Sequence, residues 1–382
     1  MAITLDGTTG VTASAFAGDG SSLTGVPVFV PTAVSGATQA LDVGTYNFFD
    51  GGALTVDTTL SFSGVPTQAR WTYTTTADVT SAPWDVTDLT YIKNFSVATE
   101  GSFPQGLSFS TDGTEMYVVM QAQTDVVQYS LLTAWNVSTA SYTRTLDISS
   151  QETIPKDIFF KPDGTVMYII GQTGVGIDEY SLSTAWDIST TSWVRFKSVS
   201  AQQAAPESVY FKPDGTAMYI VGTSSIQATE YSLSTAWNVS TASFVSHFVV
   251  SGADTAPRGI FFKPDGTVMY ILGDAGDDIN EYSLSTAWNI STASFVRRFS
   301  FYYQDTQPKS LFFKPDGTKI YVLGDTGNDV NEYAVGAINS ITLPASVQNT
   351  PIEALSPEAQ VSYDFYTLDG GTTVTLINEE VL

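Results

Sequence analysis

The decapeptide Phe-Phe-Lys-Pro-Asp-Gly-Thr-Val-Met-Tyr at residues 261–270 decides how the rest of the chain is read. Close copies stand at 159–168, 210–219 and 312–321, and a looser one, Ser-Phe-Ser-Thr-Asp-Gly-Thr-Glu-Met-Tyr, at 108–117. Their aspartates, Asp112, Asp163, Asp214, Asp265 and Asp316, recur every 51 residues. Pro104, Pro155, Pro206, Pro257 and Pro308 keep the same step, as do Trp84, Trp135, Trp186, Trp237 and Trp288. A fixed period of this length marks a solenoid, an array or a propeller. Five copies without an insertion suggest equivalent places in a ring.

At 382 residues the chain has room for two or three domains and a large core. Aromatic residues make up 13% and charged residues only 14%, with Thr, Ser and Gly plentiful. That is the composition of a β-rich protein with many short strands and turns. The formal net charge of −24 repels phosphate backbones and anionic lipid, so neither nucleic acid nor membrane insertion is expected. With no cysteine, stability must come from burial, which suits folding in a reducing cytoplasm. The opening Met-Ala-Ile-Thr-Leu-Asp-Gly-Thr-Thr-Gly lacks the basic and apolar regions of a signal peptide. A single histidine, His247, removes most of the usual repertoire for base or metal chemistry.

Residues 1–26 are poor in large apolar groups and carry turn signals at Asp6-Gly7 and Asp19-Gly20. They form either a loose leader or an extended attachment arm that orders against a partner or its own copies. Ile-Thr-Leu-Asp-Gly-Thr-Thr-Gly-Val-Thr, followed by Gly-Asp-Gly-Ser-Ser-Leu-Thr-Gly-Val, resembles the leader of bacteriophage virion proteins, especially tail-fibre-like ones. Residues 27–80 alternate like strands, and Tyr-Asn-Phe-Phe-Asp-Gly-Gly at 46–52 has a counterpart at 363–371. The flanks 27–80 and 338–382 are therefore expected to form one discontinuous, sandwich-like β-module. Trp-Thr-Tyr-Thr at 71–74 and Ile-Thr-Leu-Pro-Ala-Ser-Val at 341–347 resemble strands of a small all-β module in marine-phage structural proteins.

Between the flanks, residues 81–337 offer four strand segments per repeat. One follows the proline, one the Lys-Pro-Asp-Gly turn, one holds Tyr282 or its equivalent, and one follows the Ser-Thr-Ala-Trp turn. Four antiparallel strands make a propeller blade. The first three segments resemble the repeats of YVTN- and NHL-type propellers, in which the post-proline strand lines the central channel. The expected fold is all-β: a five-bladed β-propeller of four-stranded blades. Its last blade lacks a fourth segment of its own, so residues 89–97 should complete it by pairing with 331–335. Such a velcro closure removes the open sheet edges. The rival architecture is an open stack of blades.

The Lys-Pro-Asp-Gly and Ser-Thr-Ala-Trp turns are nearly identical between copies and should share one face of the ring. The connections on the other face differ from copy to copy. Framework on one side and diversity on the other describes a scaffold presenting a binding surface, or else drift in unconstrained loops. The residue after each proline also varies: Gln105, Lys156, Glu207, Arg258 and Lys309. These five should ring one mouth of the channel, where they either hydrogen-bond a sugar or hold water. Tyr302 and Tyr303 are placed to stack on a sugar face, beside Gln304 and Asp305. Asp274, Asp277 and Asp278, echoed one repeat on by Asp325 and Asp329, are either solvated turns or an oxygen-rich calcium site. No other cofactor is expected. The repeated Asp-Gly aspartates and the Asn-Val-Ser and Asn-Ile-Ser triplets are expected to be turn residues rather than sites.

A glycosidase needs two carboxylates flanking the scissile bond. Along the inner strands the acidic residues are Glu207 and Asp157, with no supporting His or nucleophile motif. The chain is therefore expected not to be an enzyme. The resemblances imply a structural protein of a tailed-phage virion, assembled in the bacterial host cytoplasm. It would be fibre-like and attached to other virion proteins through 1–26, with a homotrimer implied by phage fibres. The propeller would face a host-surface glycan. The alternatives are a capsid decoration or head-fibre protein without a ligand, and a propeller glycosidase.

Overall fold

A computed structural model describes residues 83–87, 89–300 and 304–335 in full and, outside them, the backbone of several strands. The arm at 1–26, Tyr302 and Tyr303 lie outside the described residues. The chain divides into two compact units: Met1–Thr76 with Ile341–Ile352 and Ala359–Leu382, and Ala77–Ser340 with Glu353–Glu358.

The first unit contains two sheets. In the six-stranded one, Ala69–Ala77 pairs antiparallel with Gln360–Thr367, setting Tyr73 opposite Tyr363. In the three-stranded one, Thr58–Ser63 lies between Thr38–Asp42 and Ile341–Thr342, parallel to both. Each sheet joins chain from before the repeats to chain from after them.

The second unit contains five four-stranded antiparallel sheets. The fourth, for example, runs Pro257–Phe262, Val268–Gly273, Asp278–Leu284 and Ala293–Ser300 from first strand to last. The first strands touch one another in a closed cycle: Pro104–Phe109, Pro155–Phe160, Pro206–Phe211, Pro257–Phe262, Pro308–Phe313 and back to Pro104–Phe109. That cycle excludes an open stack. The unit is a five-bladed β-propeller. Its fifth blade is completed by Leu89–Ser96, which pairs with Asp329–Val335 and sets Tyr91 opposite Tyr333.

Burial falls from the axis outward. Pro104–Phe109 and Pro206–Phe211 are buried at every position, as strands covered on both faces should be. The outer strands alternate between exposed and half-buried side chains over much of their length, as in Ala293–Ser300. Between blades the core is apolar and aromatic, as where Tyr219, Phe262 and Met269 meet.

The invariant turns are structural, as expected from their sequence. Each aspartate accepts from the backbone and hydroxyl of the threonine two residues on, as Asp265 does from Thr267 at 2.9 and 2.6 Å. The following glycines adopt φ between +71° and +76° beneath the tryptophan indoles. A Cβ on Gly113 would lie 2.2 Å from the Trp135 ring, so both conformation and space require glycine. Asn136, Asn238 and Asn289 cap short 3-10 turns by accepting from the backbone two residues on, and Asp187 does the same in the second blade. They are turn residues.

Candidate functional site

In every blade the ladder between the first two strands slips just after the proline. Pro155 pairs with Gly171 and Asp157 with Ile170, leaving Lys156 as an extra, unpaired residue. The same one-residue bulge falls at Gln105, Glu207, Arg258 and Lys309. A bulge kinks the strand and re-aims one side chain. Here five bulges carry five side chains of four kinds, Gln105, Lys156, Glu207, Arg258 and Lys309.

These side chains do not stand free around an open mouth. Glu207 is buried and lies 3.1 Å from Arg258 Nη1 and 3.8 Å from Lys156 Nζ. Arg258 Nη2 reaches Asp274 Oδ2 at 2.8 Å, and Lys309 Nζ reaches the same oxygen at 3.4 Å. Lys156 also donates to Gln121 at 3.2 Å and to Gln105 at 3.5 Å, while Gln172 donates to Glu207 at 3.0 Å. Gln121, Gln172 and Asp274 open the variable loops after the second strands, so both sets of variable positions meet in one network. Three cations face two carboxylates there, in a chain whose overall charge is −24. Burial lowers the Lys156 pKa, which Glu207 only partly offsets. Burial also acts to lower the Arg258 pKa, but Glu207 and Asp274 outweigh it and raise the value.

One residue further along each strand, the copies carry Gly106, Asp157, Ser208, Gly259 and Ser310. Asp157 Oδ2 accepts from the Ser208 hydroxyl at 2.5 Å and the Val209 N–H at 3.3 Å, and Oδ1 accepts from the Ser310 hydroxyl at 3.3 Å. Those serines belong to the third and fifth blades, so one carboxylate of the second blade bridges the axis. Gly106 leaves it room, since a Cβ there would lie 2.7 Å from the Asp157 Cα. Burial pushes the Asp157 carboxyl up to about 7, against the hydrogen bonds it accepts. The sequence marked Asp157 as acidic and inward but gave no sign that it would bridge three blades.

The other expected site residues fall elsewhere. Gln304 is exposed, but Asp305 is buried and accepts from the backbone of Gln307 at 2.6 Å and Gly327 at 3.4 Å. Its equivalents Glu152 and Asp254 make the same kind of backbone bonds, so Asp305 is a loop brace rather than an exposed ligand contact. That role was legible in the period at 152, 203, 254 and 305, where every residue is an acid or an amide. Of the acidic-loop residues, Asp274 is engaged by Arg258 and Lys309. Asp278 accepts from Asn280 at 2.6 Å, and Asp329 accepts from Asn94 at 2.6 Å and Asn331 at 2.7 Å. Asp277 takes a left-handed turn position with φ +46°, and Asp325 follows the Lys319–Gly324 strand. Among the described residues, no group of three or more His, Cys, Asp or Glu is arranged to hold a metal ion.

No protein-family model matches the chain, and no curated protein does. Solved structures do. A functionally unknown protein from Desulfotomaculum acetoxidans is similar over 73% of this chain and 90% of its own, with 11% identity and a TM-score of 0.38. The periplasmic gluconolactonase of Pseudomonas aeruginosa is similar over 68% and 72%, with 15% identity and a TM-score of 0.39. A luciferin-regenerating enzyme is similar over 65% and 98%, with 13% identity and a TM-score of 0.40. Two of these bear enzyme names, which corrects the expectation that the chain is not an enzyme: similar folds include enzymes. At such identities and TM-scores the likeness carries neither a substrate nor a reaction to this chain.

Proposed function

We propose that the propeller is a ligand-binding head whose variable face takes a host-surface glycan, carried by a fibre-like structural protein of a tailed-phage virion. The observation behind the binding role is the set of five bulges, which gather the copy-specific side chains into one network at the channel mouth. Arg258 and Asp274 keep partial exposure there, a donor fork beside an acceptor, as sugar hydroxyls require. The network is already paired, so binding orders few side chains and loses little entropy. Weak contacts of this sort become useful when multiplied by copy number. The virion setting rests on the resemblance of the leader and flanks to phage structural proteins, with 1–26 as the attachment arm.

The test is a glycan array probed with the full chain and with Arg258→Met. Retention of a glycan by the parent and its loss in the variant is the expected result. An array with no retained glycan, with or without calcium, turns the reading toward a decoration protein. The attachment role predicts that the full chain is oligomeric and that a chain starting at Pro27 is not.

A second reading, hydrolysis beside the axis, is favoured by Asp157, a buried carboxyl held between Ser208 and Ser310 and pushed by burial up to about 7. Turnover of sugar lactones or oligosaccharides that disappears in Asp157→Asn would establish it. Substrates left intact by the parent protein would end it.

A further inference from the structure

We infer that the joint between the third and fourth blades binds a small apolar carboxylate: an aromatic ring or short alkyl body bearing one carboxylate group. The site lies at the outer edge of the ring and does not depend on the mouth.

A cavity of about 400 Å³ opens there, lined by Phe248, Val250, Ala253, Tyr282, Phe295 and Arg298. That volume suits a small organic ligand. Phe248 and Phe295 stand edge-on to Tyr282, with ring centroids 5.5 and 5.7 Å away. A Cβ on Gly252 would meet nothing within 4 Å, so the loop beside the cavity leaves open space.

The repeat explains why the cavity is here. Ala253 stands where the other copies carry Glu100, Gln151, Gln202 and Gln304. At the fifth–first joint the Tyr129 hydroxyl donates to Glu100 Oε2 at 3.0 Å, and at the second–third joint the Tyr231 hydroxyl donates to Gln202 Oε1 at 3.1 Å. Tyr282 is the equivalent tyrosine of the third–fourth joint, and its hydroxyl has no hydrogen-bond partner among the described residues. At the first–second joint Gln151 is exposed and the Tyr180 hydroxyl likewise has no partner. Ala253 removes the long side chain and the acceptor oxygen that Glu100 and Gln202 supply at their joints. The molecule that restores both has an apolar body with an oxygen acceptor at the place of Glu100's carboxylate.

Arg298 makes that acceptor an anion. Its position holds Asn94, Thr145, Phe196 and His247 in the other copies, so this position carries a guanidinium in the fourth blade alone. The side chain is 65% exposed, and its ion pair with Asp278 is long, at 3.9 Å. A carboxylate held between Tyr282 and Arg298 gains a charge-assisted contact while its body covers Phe248 and Phe295. Two carboxylates act on Tyr282, but neither lines the cavity: Asp278 is taken up by Asn280 and Arg298, and Asp254 by the Ala256 and Gly276 N–H groups. A neutral alcohol forfeits the arginine.

The test is calorimetric titration of the full chain with 3-phenylpropanoate, using 3-phenylpropanol as the neutral control. Saturable binding of the acid, at least tenfold weaker binding of the alcohol, and at least tenfold loss in both Ala253→Gln and Arg298→Gln are expected. Ala253→Gln installs the side chain that three other joints carry, so the fold should accept it, and Arg298→Gln is a surface change. Equal affinity of parent and Ala253→Gln, equal affinity for acid and alcohol, or no saturation up to about 10 mM, where binding is worth less than ~3 kcal/mol, overturns the proposal.

Discussion

The hydroxyl of Tyr117 donates to the backbone carbonyl of Trp186 at 2.5 Å, across the joint between the first and second blades. Tyr168 with Trp237, Tyr219 with Trp288, Tyr270 with Trp84 and Tyr321 with Trp135 repeat the bond at 2.5 to 2.7 Å. Every tyrosine of the Met-Tyr or Ile-Tyr pair thus fastens its blade to the Asx-capped turn of the next. The bond goes with an unusual backbone state of the tryptophan: all five have φ between +63° and +71°. Two aromatic positions that recur in every copy form one repeated interblade latch.

Replacing Tyr168 with Phe keeps the ring packed on Phe211, whose centroid lies 4.3 Å away, but leaves the Trp237 carbonyl without its donor. The expected loss is about 1–2 kcal/mol, read as a lower denaturant midpoint at unchanged slope.

Trp84 performs the latch role for the fifth blade from the far end of the repeat region. Its ring stacks on Phe313 at 5.1 Å, while its backbone N–H donates to the Gly317 carbonyl at 2.9 Å and its backbone carbonyl accepts from Tyr270. Trp84→Ala should cost about 3 kcal/mol, more than a surface tryptophan would. A chain beginning at Pro104 loses Leu89–Ser96 altogether, exposes the edge of Asp329–Val335 and should aggregate, measured by light scattering.

The turn before each third strand also uses a left-handed residue, and in the second blade that residue is Val175, with φ +53°. A β-branched side chain is costly there. Val175→Asn should raise stability by about 1 kcal/mol, visible as a higher Tm. An unchanged or lower Tm would mean that packing of the valine outweighs its backbone strain.

Two sets of carboxylates set the pH dependence in opposite directions. Burial pushes Asp157 up to about 7 and Asp278 up to about 6, against the hydrogen bonds each accepts. Their folded values exceed the ordinary carboxylate value, so the folded chain holds those protons more tightly, and stability should fall as pH rises from about 4 to about 7. For Asp214, burial raises the value but bonds from Lys212 and Thr216 bring it down to about 2. That contribution is present above about pH 4 and is lost as pH falls toward 2. Denaturant titrations between pH 2 and 8 should therefore show maximum stability on the mildly acidic side. A maximum at or above pH 7 would count against the buried state of Asp157.

The ring was legible because its signals are local and repeated. Asp-Gly turns, prolines and tryptophans at a constant step mark strand ends whatever surrounds them. A fifth blade one segment short leaves Leu89–Ser96 as its natural completion. The bulge positions were visible as variable residues after each proline, and their convergence followed from equivalence in a closed ring. Their mutual pairing was not visible. Whether Glu207 faces water or Arg258 depends on side-chain reach across blades, and residues 51 apart give no local clue to that.

By itself the sequence determined the number of blades, the order of strands within them and the turns that must be glycine, because each follows from the local backbone preference of a few residues repeated five times. Only the tertiary structure decided that Asp157 bridges the axis to Ser208 and Ser310, and that Ala253 leaves a cavity beside an unpartnered Tyr282. Both depend on one copy departing from the repeat. The consequence of such a departure is set by what neighbouring blades bring within a few ångströms, which ring closure establishes and chain order does not.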